Sequence, residues 1–352
     1  MRPNPPVLGR NGRIATRHYA YFNARVYAMR GRLLPADTYA RFLQMDIPEI
    51  ARFLGETEYK KEIEDLGKRY RGVDLVEYAL NRNLASTFHG LLKKAQSELR
   101  ELLALYMRYY DLENITTILR GKFSGVSAEE MREALIPAGS QDLASLHKLI
   151  EAPYEDTLEM LRRTGYEFAV EMLPKRPLPE VEDEMRKQYY SSLLEATAGE
   201  SKSMVLFNRF LRTEIDFLNI VNFLRLKRDD EPQERLLVYM VEGGQLLGMK
   251  RLKKLAPMGF EEVLPELEQL PYFRTSTELF SDASASLVWL ETAMRKKELE
   301  YASKQGRQNP LTVLVVLSYI LAKRTEVENI RKIVRGKEGN LPVELVRRQL
   351  VA

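Results

Sequence analysis

The chain has 352 residues, of which 45% are hydrophobic and 30% charged, with 54 Lys and Arg against 50 Asp and Glu. That near balance argues against nucleic acid as the main partner, because nucleic-acid-binding proteins usually carry a clear basic surplus. The chain has no cysteine, which excludes disulfides and thiolate metal sites and fits a reducing compartment.

The beginning of the chain is basic. It carries seven arginines, among them Arg2 and Arg10, before the first acidic residue, Asp37. Prolines and glycines are frequent there, which favours a mobile head that leads into a helix; the alternative is a basic strip lying near anionic lipid or an acidic partner. We assign residues 1–34 to this basic segment and a first helix.

One pattern occurs three times, as DLENITTILRGK at 111–122 (copy 1), DFLNIVNFLRLK at 216–227 (copy 2) and EVENIRKIVRGK at 326–337 (copy 3). The second, fifth, eighth and ninth positions are apolar in every copy, which predicts a helix with one buried stripe. The first, fourth, tenth and twelfth positions hold an acid, Asn, Arg and Lys. These residues are Asp111, Asn114, Arg120 and Lys122 in copy 1; Asp216, Asn219, Arg225 and Lys227 in copy 2; and Glu326, Asn329, Arg335 and Lys337 in copy 3.

The copies recur at intervals of about a hundred residues, which indicates an internal threefold repeat. A second match, MRGRLLPA at 29–36 with MREALIPA at 131–138, and a looser junction, YMVEGGQ at 239–245, suggest the boundaries. We expect three similar helical lobes at residues 35–136, 137–241 and 242–352. In each lobe the motif closes a long helix, and Gly121 and Gly336 suit the helix end.

The fold class predicted is all-α. Helical spacing of apolar residues dominates, and no convincing period-two alternation appears next to hairpin turns. The most apolar run, LTVLVVLSYILA at 311–322, is shorter than the roughly 20 residues that a membrane-spanning helix needs. We interpret it as a buried helix.

Known catalytic and cofactor motifs find little support. The closest approach to a phosphate loop, GGQLLGMK at 243–250, lacks the Gly-Lys-Ser/Thr ending and is interpreted as a loop between helices. His18, His89 and His147 have no partner at metal-ligand spacing, and no serine-hydrolase elbow is present. We therefore expect no cofactor and no metal.

The repeated polar residues favour a structural role. On a helix the acid, Asn and Lys fall within about 80° of one another, while the Arg lies roughly opposite the acid. An acid beside an Asn, with neither nucleophile nor base, is a poor catalyst. Helix capping, hydrogen bonds between lobes and a charged rim explain the set better, and a buried Asn would fix the register of packed helices.

A second candidate site is the basic segment MKRLKKLA at 249–256. Lys250, Arg251, Lys253 and Lys254 form a solvated helix face or, as the functional alternative, a docking patch for an acidic partner.

The triple motif, together with YFNARVYAMRGRLL at 21–34, resembles the C subunit of the archaeal and bacterial A/V-type rotary ATPases and ATP synthases, a relative of the d subunit of eukaryotic V-ATPases. The resemblance extends from about residue 18 to the C-terminus. It implies a funnel of three helical lobes with a central cavity, present in one copy per complex. It also implies a non-catalytic rotor subunit that couples ATP synthesis or hydrolysis to ion transport.

The same resemblance implies the partners. A protein of this family is a socket between the central-stalk subunits, of the D and F type, and the membrane proteolipid ring of the c or K type. It would lie at the cytoplasmic face of the membrane as a peripheral protein, attached through those partners and not through nucleic acid.

Copy 2 departs from the pattern, because Leu218 replaces Glu before the Asn and Leu226 replaces the Gly of the other copies. We expect the helix there to continue further or to pack against a neighbouring lobe. Two other functions are weighed against the rotor subunit: a free-standing helical scaffold resembling a solenoid, and an unrecognised helical hydrolase.

Overall fold

A computed structural model describes residues 12–273 and 287–351. Every regular element in those ranges is helical and no strand occurs there, so the predicted all-α class is confirmed. The head predicted from Arg2 and Arg10 lies outside the described residues.

Groups of short helices, of six to nine residues, are separated by single or paired helices of 19 to 28 residues. In chain order they are α1 Gly12–Arg30, α2 Ala36–Gln44, α3 Ile47–Leu54, α4 Lys60–Leu66, α5 Gly72–Lys94, α6 Ser97–Ser124, α7 Ala128–Ala134, α8 Leu143–Glu151, α9 Tyr154–Leu161, a π-helical turn at Arg162–Tyr166, α10 Glu167–Met172, α11 Leu178–Ala196, α12 Lys202–Arg228, α13 Gln233–Val238, α14 Met249–Leu255, α15 Phe260–Glu268, α16 Leu287–Gln308, α17 Leu314–Glu338 and α18 Val343–Arg348.

The chain divides into two compact units. The first unit comprises the described parts of Met1–Gly31, Tyr190–Thr325 and Pro342–Ala352. The second unit comprises Arg32–Tyr189 and Glu326–Leu341. Because helices α11 and α17 run across the boundaries, these units differ from the three lobes expected from the repeat, and that three-lobe division stays a prediction.

The core of the second unit contains the apolar stripe of copy 1. Its four stripe residues are buried and form one cluster with side chains of the helices that follow, from α7 to the start of α11. The stripe residues are Leu112, Ile115, Ile118 and Leu119, and those of the following helices include Met131, Leu146, Leu149, Leu161 and Val181.

The first unit has a core of the same construction around copy 2. Here the stripe packs with residues of helices α13 to α16. The stripe residues are Phe217, Ile220, Phe223 and Leu224, and their partners include Leu236, Leu252, Leu255, Leu267 and Met294. The corresponding residues of copy 3, Val327, Ile330, Ile333 and Val334, are buried as well. The predicted buried stripe is therefore confirmed in all three copies.

The copies close three of the longest helices, α6, α12 and α17, but not at the expected glycines. Gly121 and Gly336 lie inside their helices. The residues with left-handed backbone stand four positions later, at Gly125, Asp230 and Asn340, with φ of 71°, 52° and 51°. Beyond each of them an N–H bonds back to the carbonyl of Gly121, Leu226 or Gly336. This is a Schellman-type helix end.

Gly121 does not end helix α6; its lack of a side chain allows close packing between α6 and α7. A Cβ there would overlap the Met131 side chain of α7, so the glycine lets α7 lie against α6. In copy 2 the helix does not continue further, because α12 ends two residues after Leu226. Leu226 packs against the core cluster that contains the copy 2 stripe, and the expectation that the helix packs against a neighbouring lobe stays a prediction, as the three-lobe division does.

The match between the two Pro-Ala pairs is not a structural equivalence. Pro35 is the residue before α2, whereas Pro137 stands six residues before the first residue of α8. The run at 311–322 gives the buried beginning of α17, and no helix within the described residues is long and apolar enough to cross a membrane.

Candidate functional site

The acid of each motif copy binds the segment that leads into a short helix. Asp111 accepts the backbone N–H groups of Ser140 and Gln141, both at 2.9 Å, just before α8. Asp216 accepts those of Leu246 and Leu247 at 2.7 and 2.9 Å, just before α14.

Copy 3 makes the corresponding contact with the beginning of the chain. Glu326 accepts the N–H of Leu34, just before α2, and the hydroxyl of Tyr59 at 2.7 Å. Tyr272 donates to Asp216 in the same manner, also at 2.7 Å. All three acids are buried, and a buried carboxylate is stable only when hydrogen bonds replace water.

Glycines allow the loops to approach the aspartates. A Cβ at Gly139 or Gly244 would overlap the carboxylate of Asp111 or Asp216.

Burial shapes the electrostatics of these sites. It raises the pKa of Asp216, although the N–H groups of Leu246 and Leu247 and the Tyr272 hydroxyl oppose the shift. Burial and the nearby Asp216 raise the pKa of Tyr272. In the second unit burial, with Asp111 adding to it, raises the pKa of Tyr166 to about 12. Both tyrosines are therefore neutral at physiological pH, and Tyr272 donates to Asp216 in that state.

The asparagines clamp the chain that follows the motif helix. The Nδ2 of Asn219 donates to the carbonyl of Val241, and the N–H of Val241 donates to Oδ1 of Asn219, both at 2.8 Å. Asn114 exchanges the same pair of bonds with Ile136, again at 2.8 Å. Asn329 is fully buried and hydrogen-bonds to Tyr39.

The lysines cap the C-terminal ends of the short helices. Lys122 donates to the carbonyls of Ile150, at 2.9 Å, and Ala152 at the end of α8. Lys227 donates to those of Ala256 and Met258, the latter at 2.7 Å, beyond α14. A cation is favoured there because the helix dipole leaves negative charge at that end.

Lys337 completes the set by donating to the carbonyl of Leu43, at 2.8 Å, at the end of α2. Burial lowers the pKa of all three motif lysines, Lys122, Lys227 and Lys337.

The arginines face away from the acids and bind a long helix. Arg120 pairs with Glu182 of α11, with Nε at 2.6 Å from Oε1. The other pairs are Arg225 with Glu291 of α16, and Arg335 with Glu77 of α5, where Nη2 lies 2.8 Å from Oε2. The hydrogen bonds to their glutamates raise the pKa of Arg120 and Arg335.

Each copy therefore holds a short helix and a long helix. Copy 1 holds α8 and α11, copy 2 holds α14 and α16, and copy 3 holds α2 and α5. We call these sets junction 1, junction 2 and junction 3. Junctions 1 and 3 lie in the second unit and junction 2 lies in the first.

Comparison with known proteins identifies the family. The family model described as ATP synthase (C/AC39) subunit matches residues 22–349. The chain belongs to this family. The C subunit of the A-type ATP synthase of Methanococcoides burtonii is 39% identical over 95% of this chain and 94% of its own length. The C subunits of the Methanosarcina mazei and Haloferax volcanii enzymes are 38% and 37% identical, over 95% and 94% of this chain and 93% and 97% of their own lengths.

The glycine-rich segment at 243–250, which was compared with a phosphate loop above, is a loop bound by Asp216. Its Leu246 and Leu247 N–H groups, which in a phosphate loop would face the ligand, are occupied by Asp216. No group of three or more acidic or histidine side chains in the described ranges could hold a metal ion.

The predicted basic patch lies on α14. Lys250, Lys253 and Lys254 are exposed, while Arg251 is half-buried and donates to the carbonyl of Glu266 at 3.3 Å. Leu252 and Leu255 anchor the opposite face in the core. Its docking role stays a prediction.

Sequence reasoning missed the partners of the motif. Glu77, Glu182 and Glu291 each lie in the second turn of their helices, and nothing near the motif points to them. A usable signal was available for two of the loops, because Gly139 and Gly244 each stand 28 positions after their aspartate.

Proposed function

We propose that this chain is a non-catalytic rotor subunit of an A-type ATP synthase, a socket that joins the central stalk to the membrane proteolipid ring. In this role it transmits the rotation that couples ATP synthesis or hydrolysis to ion transport. Membership of the ATP synthase (C/AC39) subunit family, across residues 22–349, supports the assignment to the complex. The relatives are named as the C subunit of A-type ATP synthases, and the chain spans nearly their whole length.

Junction 3 is the observation that supports a socket built from three lobes. Copy 3 binds the beginning of the chain through Glu326, Arg335 and Lys337, with the chemistry that copies 1 and 2 use for the segments that follow them. An open solenoid scaffold would leave the last copy without a following helix pair. We propose, as the family resemblance implies, that the three lobes close around a central cavity in the form of a funnel.

The acids of all three copies and the asparagines of copies 1 and 2 bind backbone groups, which supports a mechanical role. Such fully satisfied buried polar contacts give the rigidity that a torque-transmitting part needs. We propose that the stalk subunits of the D and F type and the proteolipid ring are the partners. One copy per complex would lie at the cytoplasmic face of the membrane, attached through those partners.

The proposal is tested by purifying a tagged chain from gently detergent-solubilised membranes of the source cells. Co-purification of the catalytic, stalk and proteolipid subunits, with one copy of the chain per complex, is expected. A chain that emerges alone, while the complex is recovered intact without it, would overturn the proposal and favour the free-standing scaffold.

A further inference from the structure

One arginine outside the three copies has the sequence context of a motif arginine but different partners. Arg30 is the last residue of α1, and with Gly31 and Arg32 it repeats the Arg-Gly-basic order that ends copies 1 and 3. The motif arginine of each copy pairs with a glutamate of a long helix. Arg30 instead donates to two neutral hydroxyl groups, those of Ser318 at 3.1 Å and Ser303 at 2.9 Å.

The two serines hold the guanidinium of Arg30 in place without balancing its charge. Both serines are buried, and Ser318 also donates to the carbonyl of Val315 at 2.8 Å. A guanidinium has five N–H donors, of which one bonds to each serine, so three remain for another acceptor. Arg30 is half-buried, and a positive charge that is partly removed from water is costly unless an anion compensates it.

Arg307 on α16 adds a second positive charge to this place. The preceding residue, Gly306, lies so close to Ser318 that a Cβ on the glycine would stand 3.1 Å from the Ser318 Oγ. Arg30 contacts that same oxygen. Burial lowers the pKa of Arg30, and the charge of Arg307 lowers it further. Arg307 is exposed, so the pair of arginines can be reached from solvent.

The chain does not supply an anion for these two charges. Within the described ranges, no carboxylate forms a hydrogen bond or an ion pair with Arg30 or Arg307. Residues 1–36 and 301–325, which contain both arginines and both serines, have no Asp or Glu at all. All four side chains belong to the first unit. Two neighbouring guanidinium groups repel each other, and an oxyanion bound by both would remove that repulsion.

We propose that Arg30 and Arg307 form a site that binds a carboxylate group supplied from outside this chain, with Arg30 held in position by the two serines. Copies 1 and 3 show the complete form of this chemistry, because there Glu182 and Glu77 supply the carboxylate to the motif arginine. A carboxylate can accept two parallel N–H bonds from one guanidinium, which chloride cannot do. The site is a property of the chain itself and does not depend on the proposed role in the complex.

Titration of the full-length chain with citrate tests the site. The arginines are labelled with ¹⁵N, and the Nε–H signals of Arg30, Arg307 and Arg25 are assigned from three single Arg→Lys variants. Sodium chloride keeps the ionic strength constant, so that general screening does not change during the titration. We expect the signals of Arg30 and Arg307 to shift with one common dissociation constant. The signal of Arg25, an exposed residue of the same helix α1, should not shift.

Matched variants separate the site from the general basicity of the surface. Arg307→Gln changes an exposed side chain and should leave the fold intact. It should nevertheless weaken citrate binding about tenfold, as should Arg30→Gln, because each removes charge-assisted hydrogen bonds to the anion. Arg25→Gln removes the same charge from α1 and should change binding by less than about twofold, since an exposed distant charge is screened.

A second titration identifies the source of the carboxylate. A hexaglutamate peptide replaces citrate at the same concentration of carboxylate groups and the same ionic strength. Tighter binding of the peptide would support the site and assign it to an acidic side chain of another protein. Tighter binding of citrate would support the site and assign it to a small free carboxylate.

Two results would overturn the inference. One is that neither citrate nor the peptide shifts the signals of Arg30 and Arg307 more than that of Arg25. The other is binding that Arg307→Gln leaves unchanged, since the carboxylate would then lie elsewhere on the surface.

Discussion

Asn219 and Val241 exchange two hydrogen bonds of 2.8 Å, so that one buried side chain satisfies both the N–H and the C=O of one buried residue. This reciprocal clamp fixes the chain at the point where it leaves helix α13. The asparagine thus substitutes for a backbone partner, since a buried backbone group must be paired.

Asn219→Ala should therefore destabilise the protein by about 2–4 kcal/mol, because two buried backbone groups lose their partners. Asn114→Ala should cost less, since Ile136 is only half-buried. Urea unfolding of both variants measures the difference. Losses below about 0.5 kcal/mol in both would show that water or a shifted backbone replaces the clamp.

The lysine cap gives a second prediction. Lys227→Met keeps the length of the side chain but leaves the carbonyls of Ala256 and Met258 without their donor, and should cost about 1–2 kcal/mol in urea unfolding. Lys253→Met is the matched control on the exposed face of α14 and should change stability by less than about 0.5 kcal/mol. Equal effects would contradict the capping role.

A third prediction concerns Gly139 and Gly244, the glycines of the loops that Asp111 and Asp216 bind. Gly139→Ala should destabilise by about 1–3 kcal/mol, because its Cβ would overlap the Asp111 carboxylate. Gly90→Ala, in the interior of α5 with no heavy atom within 4 Å of the added Cβ, should stabilise by about 0.5–1 kcal/mol. Thermal or urea unfolding that gave the same sign for both substitutions would refute the close approach.

The raised pKa of Asp216 predicts an unusual pH dependence. A carboxyl whose pKa is higher in the folded state contributes stability that is full below its unfolded pKa, of about 4, and is lost as pH rises through the folded pKa. The stability difference between the wild type and Asp216→Asn should therefore be larger at pH 5 than at pH 8.

Asp142 provides the opposite case for the same experiment. Its bond from the Ser145 N–H at the start of α8 lowers its pKa. Its contribution is therefore present above the unfolded pKa and is lost as pH falls. The difference between the wild type and Asp142→Asn should grow from about pH 3 to about pH 5 and change little above that. Differences that change with pH in the same direction for both aspartates would contradict the pKa assignments.

Sequence periodicity predicted the local structure well and the tertiary partners poorly. The buried stripe follows from the positions of residues such as Ile115 and Ile220, because a helix with one apolar side must bury it. The long helices and the place of the motif at their ends were predicted for the same reason. The ends of α6 and α17 were misplaced at Gly121 and Gly336, whereas the left-handed residues are Gly125 and Asn340, and Asn340 is not a glycine.

The partners of the polar residues depend on contacts that no local pattern encodes. Arg335 meets Glu77 across 258 residues of sequence, and its exposed position alone would suit many acids. The likeness of the two Pro-Ala pairs was misleading, since Pro35 precedes a helix whereas Pro137 precedes a loop. The sequence did indicate that the three copies have the same structural role. The contacts made by their acids and lysines agree with that prediction.

The central claim, that this chain couples rotation to ion transport, is tested most directly in A-type ATP synthase reassembled with and without it. The measurement is the number of ions transported per ATP hydrolysed in sealed vesicles. The account predicts that complexes lacking the chain still hydrolyse ATP but transport no ions, and that adding the purified chain restores transport. Full transport without the chain, or loss of hydrolysis and transport in strict proportion, would contradict it.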